Sequence, residues 1–184
     1  MPLKNILIHV ESSASSTAQL KAALQFSKFE KAASVTGICI RPPLPFEQGE
    51  LGHIPQEVIE TYNKTLDDDL FPAAEKRFND AAENAGMASK AKWETAVGDA
   101  AEALEQRGRY ADLLVVAQTN QEDSTNSYNQ LVDTIVMMAG RPVLVLPAKG
   151  TNKTIGKKVL IAWDGSREAG RAVSDSLDVL MQAD

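Results

Sequence analysis

Apolar residues along this chain come in short runs with two alternating periods. Asn5 to Val10 (NILIHV), Ser34 to Ile40 (SVTGICI) and Asp112 to Ala117 (DLLVVA) are β-branched and apolar in sequence. Such runs predict strands buried on both faces. Ala91 to Val97 (AKWETAV) alternates apolar with polar, and Arg141 to Pro147 (RPVLVLP) is bounded by proline. Both features suit the edges of a sheet. Between these runs the period becomes helical. Leu20, Ala23 and Leu24 form a stripe widened by Phe26 and Phe29, and further helical patterns cover Gln56 to Asn84, the stretch from Asp99 to Gly108, and Tyr128 to Ala139. Pro72 predicts a break or kink in the long helix, Gly86 a helix stop, and Asp99 an N-cap. The stretch from Pro42 to Pro55, rich in proline and glycine, predicts a loop.

Strands alternating with helices argue for βαβ units. The expected fold is α/β, a doubly wound, Rossmann-like parallel sheet of five strands with helices on both faces. The order of strands is expected to reverse between the first and the fourth, leaving a crevice at their carboxyl ends.

The end of the chain repeats its beginning. A shift of 153 residues places Lys4 on Lys157, Ile6 on Val159, Leu7 on Leu160, Ile8 on Ile161, Glu11 on Asp164, Ser13 on Ser166, Leu20 on Val173 and Leu24 on Leu177. In both copies an acidic residue closes the apolar run and a serine follows two positions later. The segment KGTNKTIG, from Lys149 to Gly156, reads as a linker between them. The domain organisation expected is one complete domain over 1–148, a linker over 149–156, and the first strand and helix of a second domain over 157–184.

Composition narrows the function classes. The 184 residues are 43% hydrophobic, enough for a real core in one domain plus a remnant. The net charge is −6, with lysines and arginines scattered among carboxylates, so there is no basic patch for nucleic acid. No apolar run is long enough to span a membrane. The N-terminus, MPLKNILIHVESS, is too polar for a signal peptide, and the cytoplasm is the expected compartment. One cysteine, Cys39, rules out a disulfide framework within the chain. His9 and His53 lack metal-ligand spacing. His9 reads as a core or crevice histidine, Cys39 as an inert thiol, and Asp67, Asp68 and Asp69 as a solvated face. Met137, Met138, Trp93 and Trp163 read as packing residues.

ADLLVVA followed by AGRPVLVLP, and above all VLIAWDGSREAGRAV, resembles the universal stress protein family in its tandem form, over essentially the whole chain. The resemblance implies a second domain cut short after its first strand and helix. It also implies an acidic residue after the first strand that holds adenosine, and a Gly-x2-Gly-x9-Gly-Ser/Thr loop after the fourth that cradles phosphates through backbone amides. This sequence departs from both. Glu11 stands in place of the aspartate. Ala117, Asn120 and Asn129 fall where the glycines belong and Gln130 where the Ser/Thr belongs, with the spacing one residue short. Glu122 and Asp123 bring negative charge, and AQTNQEDSTNSYNQLV contains no lysine or arginine to offset it. In the second copy Asp164, Gly165 and Ser166 match the family pattern, but no phosphate loop follows within the sequence.

The function expected is that of a stress-response protein without catalytic activity, tight ATP binding or a cofactor. Its candidate ligand-binding residues are Glu11, Ser12, Ile40, Ala117, Asn120, Asn129, Gln130 and Asp164, for a small polar ligand or a nucleotide. The alternative is an adenine-nucleotide-binding protein with weak ATP hydrolysis at the crevice after strands one and four. The resemblance further implies a homodimer through the fifth strand, Pro142 to Pro147, with the run Val159 to Trp163 an unpaired strand that docks on its own domain or on a second copy.

Overall fold

The computed structural model describes residues 3–11, 17–42, 54–118, 127–149 and 155–184; for Leu66 and residues 127–130 it describes the backbone alone. Five strands form one parallel sheet: β1 (Asn5–His9), β2 (Ser34–Arg41), β3 (Ala91–Val97), β4 (Leu113–Ala117) and β5 (Val143–Leu146), in the order β3-β2-β1-β4-β5. The alternating strand and the proline-bounded strand are the two edges, as their patterns predict. The central strands bury nearly every side chain, because helices cover both faces. Ile6 sits opposite Val35 of β2 and Leu113 of β4, so β1 is hydrogen-bonded on both sides. Asp112 fixes this start: its carboxylate accepts from the Lys4 and Asn5 amides at 3.0 and 2.8 Å.

One face of the sheet carries α1 (Thr17–Phe29) and α3 (Phe71–Ala85). Ile6, Ile8, Val10 and Val35 pack there against Leu20, Ala23, Leu24 and Phe78. The spacing of Ala74, Phe78, Ala81 and Ala82 gives α3 one apolar stripe at helical period. The other face carries α4 (Ala100–Gly108) and α5 (Ser127–Met138), with Leu7, Ile38, Leu114 and Val116 against Leu104, Leu131 and Ile135. Trp93 of β3 packs on Phe78, ring centroids 5.6 Å apart.

The punctuation follows the sequence closely. Gly86 ends α3 at φ 70°, its amide bonded back to Ala82 and Glu83 carbonyls. Asp99 caps α4, accepting from the Glu102 amide at 2.9 Å. Asp99→Ala is therefore expected to cost about 1 kcal/mol of unfolding free energy, read from the shift in urea midpoint. Pro72 does not break the long helix. Helix α2 (Gln56–Thr65) passes through a wider π turn, Leu66–Leu70, straight into α3. Proline has no amide to donate one turn back, and the wide turn before it absorbs that loss without ending the helix. Arg41, at the end of β2, ties this turn down through Asn63 Oδ1 and the Asp67 carboxylate, each at 2.9 Å.

Three packing expectations are corrected. Met137 and Met138 are not in the core: they are 84% and 51% exposed, because α5 turns Leu131, Ile135 and the following Ala139 inward and Val136 to Met138 out. Trp163 is 63% exposed. The run Val159 to Trp163 forms no strand; its backbone pairs with none of the described strands, and Leu160 is 94% exposed. The segment is anchored around this run instead. Ile155 and Val179 pack against the α1 side of the core, Arg171 donates to the Gly140 carbonyl at 3.1 Å, and Asp184 closes on Lys157 through a 2.7 Å backbone bond. Beyond the run come α6 (Arg167–Asp175), capped by Ser166 Oγ on the Ala169 amide, and α7 (Leu177–Leu180).

Candidate functional site

The chain leaves β1 toward α1 on one face of the sheet and leaves β4 toward α5 on the other. Neighbouring strands whose exits diverge open a crevice at their carboxyl ends. A cavity of about 10 Å³ lies there, lined by His9, Val10 and Glu11 of the β1 exit, Gln19, Leu20 and Ala23 of α1, Val115 to Ala117 of β4, and Leu146 of β5. Two backbone bonds frame it: Val10 donates to the Ile38 carbonyl and Gln118 to the Leu146 carbonyl, both at 2.8 Å.

Of the candidate residues, Glu11 and Ala117 meet at this cavity. Ile40 packs on the α4 and α5 side of the sheet and is not part of the cavity wall. Asp164 is far along the chain in the exposed C-terminal segment, where its carboxylate accepts from the Ser166 amide at 2.9 Å. Hydrogen bonding from the Ser166 hydroxyl, and after it from the Ser166 amide, holds its carboxyl below the usual range. Its role there is to shape the turn before α6. Ser12 and Asn120 lie outside the described residues, as do the side chains of Asn129 and Gln130.

Two residues of the wall were not among the candidates. Gln19 is only 8% exposed, although α1 begins just before it; its Nε2 donates to the Gln118 carbonyl at 3.4 Å and its Oε1 is buried without a hydrogen-bond partner among the described residues. Its signal in the sequence is a polar side chain four residues before Ala23, on the apolar stripe. His9 is likewise buried, with Nδ1 unpaired among the described residues. Burial alone lowers its pKa to about 4, so the ring is neutral at physiological pH. Burial also raises the Glu11 carboxyl, and the described cavity wall around it holds no basic side chain. Arg77 of α3 donates to the Glu11 carbonyl oxygen at 3.0 Å.

Other chemistries find little support in the geometry. Burial pushes the Cys39 thiol up to about 11, which leaves it a poor nucleophile. Among the described residues no three His, Cys, Asp or Glu side chains are grouped to hold a metal. Among those residues, too, no helix is long and apolar enough to cross a membrane.

Neither a protein-family model nor a curated protein sequence matches this chain. Solved structures do. A universal stress protein crystallised in complex with cAMP is 20% identical, with a TM-score of 0.55 over 81% of this chain and 100% of its own. The universal stress protein UspA from Lactobacillus plantarum is 17% identical, with a TM-score of 0.60 over 79% of this chain and 99% of its own. A universal stress protein from Archaeoglobus fulgidus DSM 4304, 16% identical, reaches a TM-score of 0.66 over 97% of this chain. This chain spans 63% of the length of that neighbour. The fold is that of the universal stress proteins. The crevice of this chain has a carboxylate, Glu11, at the β1 exit and no lysine or arginine in its described wall.

Proposed function

We propose that this chain is a universal stress protein-type stress-response protein of the cytoplasm, non-catalytic and without tight ATP binding. It acts by association and by holding a small polar ligand at the crevice between β1 and β4. The observation that carries this reading is that crevice: Glu11, Gln19 and Ala117 brought together where divergent strand exits favour a ligand, with no cationic side chain among the described residues that line it. The complex of a fold neighbour with cAMP supports a ligand-binding use of the fold. A thermal-shift screen of the full chain with AMP and ATP, with and without magnesium, tests it. ATP at millimolar concentration is expected to leave the midpoint unmoved. A ligand held at 100 times its dissociation constant adds about 2.7 kcal/mol, so tight ATP binding would be plain to see and would overturn the reading.

The reading extends to organisation. Residues 157–184 carry the sequence pattern that opens a second such domain, a reading supported by the 153-residue repeat and by the longer neighbour that takes up 97% of this chain. A run with the sequence of an inner strand but no partner among the described strands, in a chain whose β5 is an edge of the sheet, supports self-association into a homodimer. Leu160→Asp is expected to shift the full chain from dimer toward monomer in sedimentation velocity. A wild-type chain that sediments as a monomer at tens of micromolar would contradict the dimer.

A further inference from the structure

From Lys158 to Trp163, exposed apolar side chains coincide with a backbone outside the sheet. Leu160 is almost wholly exposed, and Val159, Ile161 and Trp163 are exposed with it. None of the described strands pairs with the run, and among the described residues no backbone-to-backbone hydrogen bond engages Lys158 to Trp163. A second strand laid beside such a run bonds its amides and carbonyls and covers its apolar side chains in one step.

Paired as a strand, the run puts Val159, Ile161 and Trp163 on one face and Lys158, Leu160, Ala162 and Asp164 on the other. The first face has its cover at hand. The Trp163 ring lies 3.8 Å from where a Cβ would stand at Gly170 of α6, a helix that has no fully buried residue. A two-stranded ribbon is marginal alone, and a helix packed against it supplies what it lacks.

Charge names the partner strand. Two-fold pairing of antiparallel copies puts one residue on the axis, facing its own mate, and opposes residues at equal distances from it. With Ile161 on the axis, Lys158 faces Asp164, Val159 faces Trp163 and Leu160 faces Ala162, each twice. Opposite charges then close both ends, and a β-branched residue meets an aromatic one inside them. Shifting the axis by one residue either way leaves both charges facing uncharged residues. The β5 strand, VLVL, carries no charge to answer them. We infer that two copies of this chain associate by antiparallel pairing of residues 158–164 about a two-fold axis at Ile161, a finer statement that rests on the homodimer proposed above.

Non-reducing electrophoresis of full-length Ile161→Cys and Val159→Cys after mild oxidation tests this. The native Cys39 is buried and does not compete. Opposed residues of an antiparallel pair have Cα atoms about 4.5 or 5.5 Å apart, within disulfide reach. Ile161→Cys is expected to run mostly as a covalent dimer. Val159→Cys, whose own mate lies about 13 Å along the ribbon, is expected to run mainly as a monomer. In sedimentation velocity, Lys158→Glu is expected to weaken dimerisation roughly tenfold, and Lys157→Glu, which faces Gly165, by less than about threefold. Equal cross-linking at 159 and 161, or equal weakening by the two lysine changes, overturns the register. A wild-type dimer with neither cysteine cross-linked overturns the inference and leaves the homodimer standing. A wild-type chain that stays monomeric at tens of micromolar overturns both.

Discussion

Replacing Phe78 by alanine lowers the unfolding free energy by about 3–5 kcal/mol, the range for emptying a core aromatic site. Phe78 is wholly buried, and its ring lies directly on β2 at Gly37, where an added Cβ would stand 2.7 Å from the ring carbons. On its other side the ring meets Trp93 of β3 at a 35° tilt. One side chain thus joins α3 to two strands, and the glycine in β2 exists to admit it. Gly37→Ala is expected to cost about 1–3 kcal/mol by overpacking, without a cavity. The two sites share a contact, so Gly37→Ala combined with Phe78→Leu should cost less than the two changes added. Urea denaturation of the wild type, Phe78→Ala, Gly37→Ala, Phe78→Leu and the double variant measures both effects. A Phe78→Ala loss below about 1 kcal/mol, or strict additivity, would mean that the seam between α3 and the sheet is not packed as described.

The second large effect is on pH. His9 titrates near 4 in the folded chain, against about 6.5 when unfolded, because burial disfavours the imidazolium. The unfolded state therefore takes up the proton first. Its contribution is fully in place above pH 6.5 and falls away as the pH drops toward 4, by on the order of 3 kcal/mol. Glu11 acts in the opposite sense. Its folded pKa is raised, so the stability it contributes is present at low pH and is lost as pH rises through its titration. His9→Leu is expected to flatten the fall in stability between pH 6.5 and 4 while Glu11 continues to titrate. Denaturation midpoints at a series of pH values, wild type against His9→Leu, read the difference. An unchanged slope would show that His9 is not held neutral in the crevice wall.

The sheet was legible because the strands carry their burial in their composition. β1 and β4 are almost wholly apolar and lie inside, β3 alternates and lies at an edge, and Gly86 and Asp99 punctuate helices by local chemistry that needs no tertiary partner. What failed depends on neighbours. Met137 and Met138 are hydrophobic, but hydrophobicity does not say which side of α5 meets the sheet. Val159 to Trp163 has the sequence of a strand, and a strand is defined by its partner; with none among the described strands, the run forms no strand and is exposed. In the crevice, Glu11 and Ala117 followed from topology and from the family pattern. Gln19 did not, because only the packing of α1 over the β1 exit turns an ordinary polar residue into a buried, unpaired acceptor. Asp164 matched a family motif in sequence, yet its side chain serves the turn ahead of α6.

The central claim is a universal stress protein fold whose crevice is not equipped to hold a triphosphate. Calorimetric titration of the full chain with magnesium-ATP tests it most directly. The account predicts no saturable heat at ATP concentrations up to about 100 μM, equivalent to a binding free energy weaker than roughly −5.5 kcal/mol. A dissociation constant in the micromolar range or below, or ATP carried through purification, would contradict it.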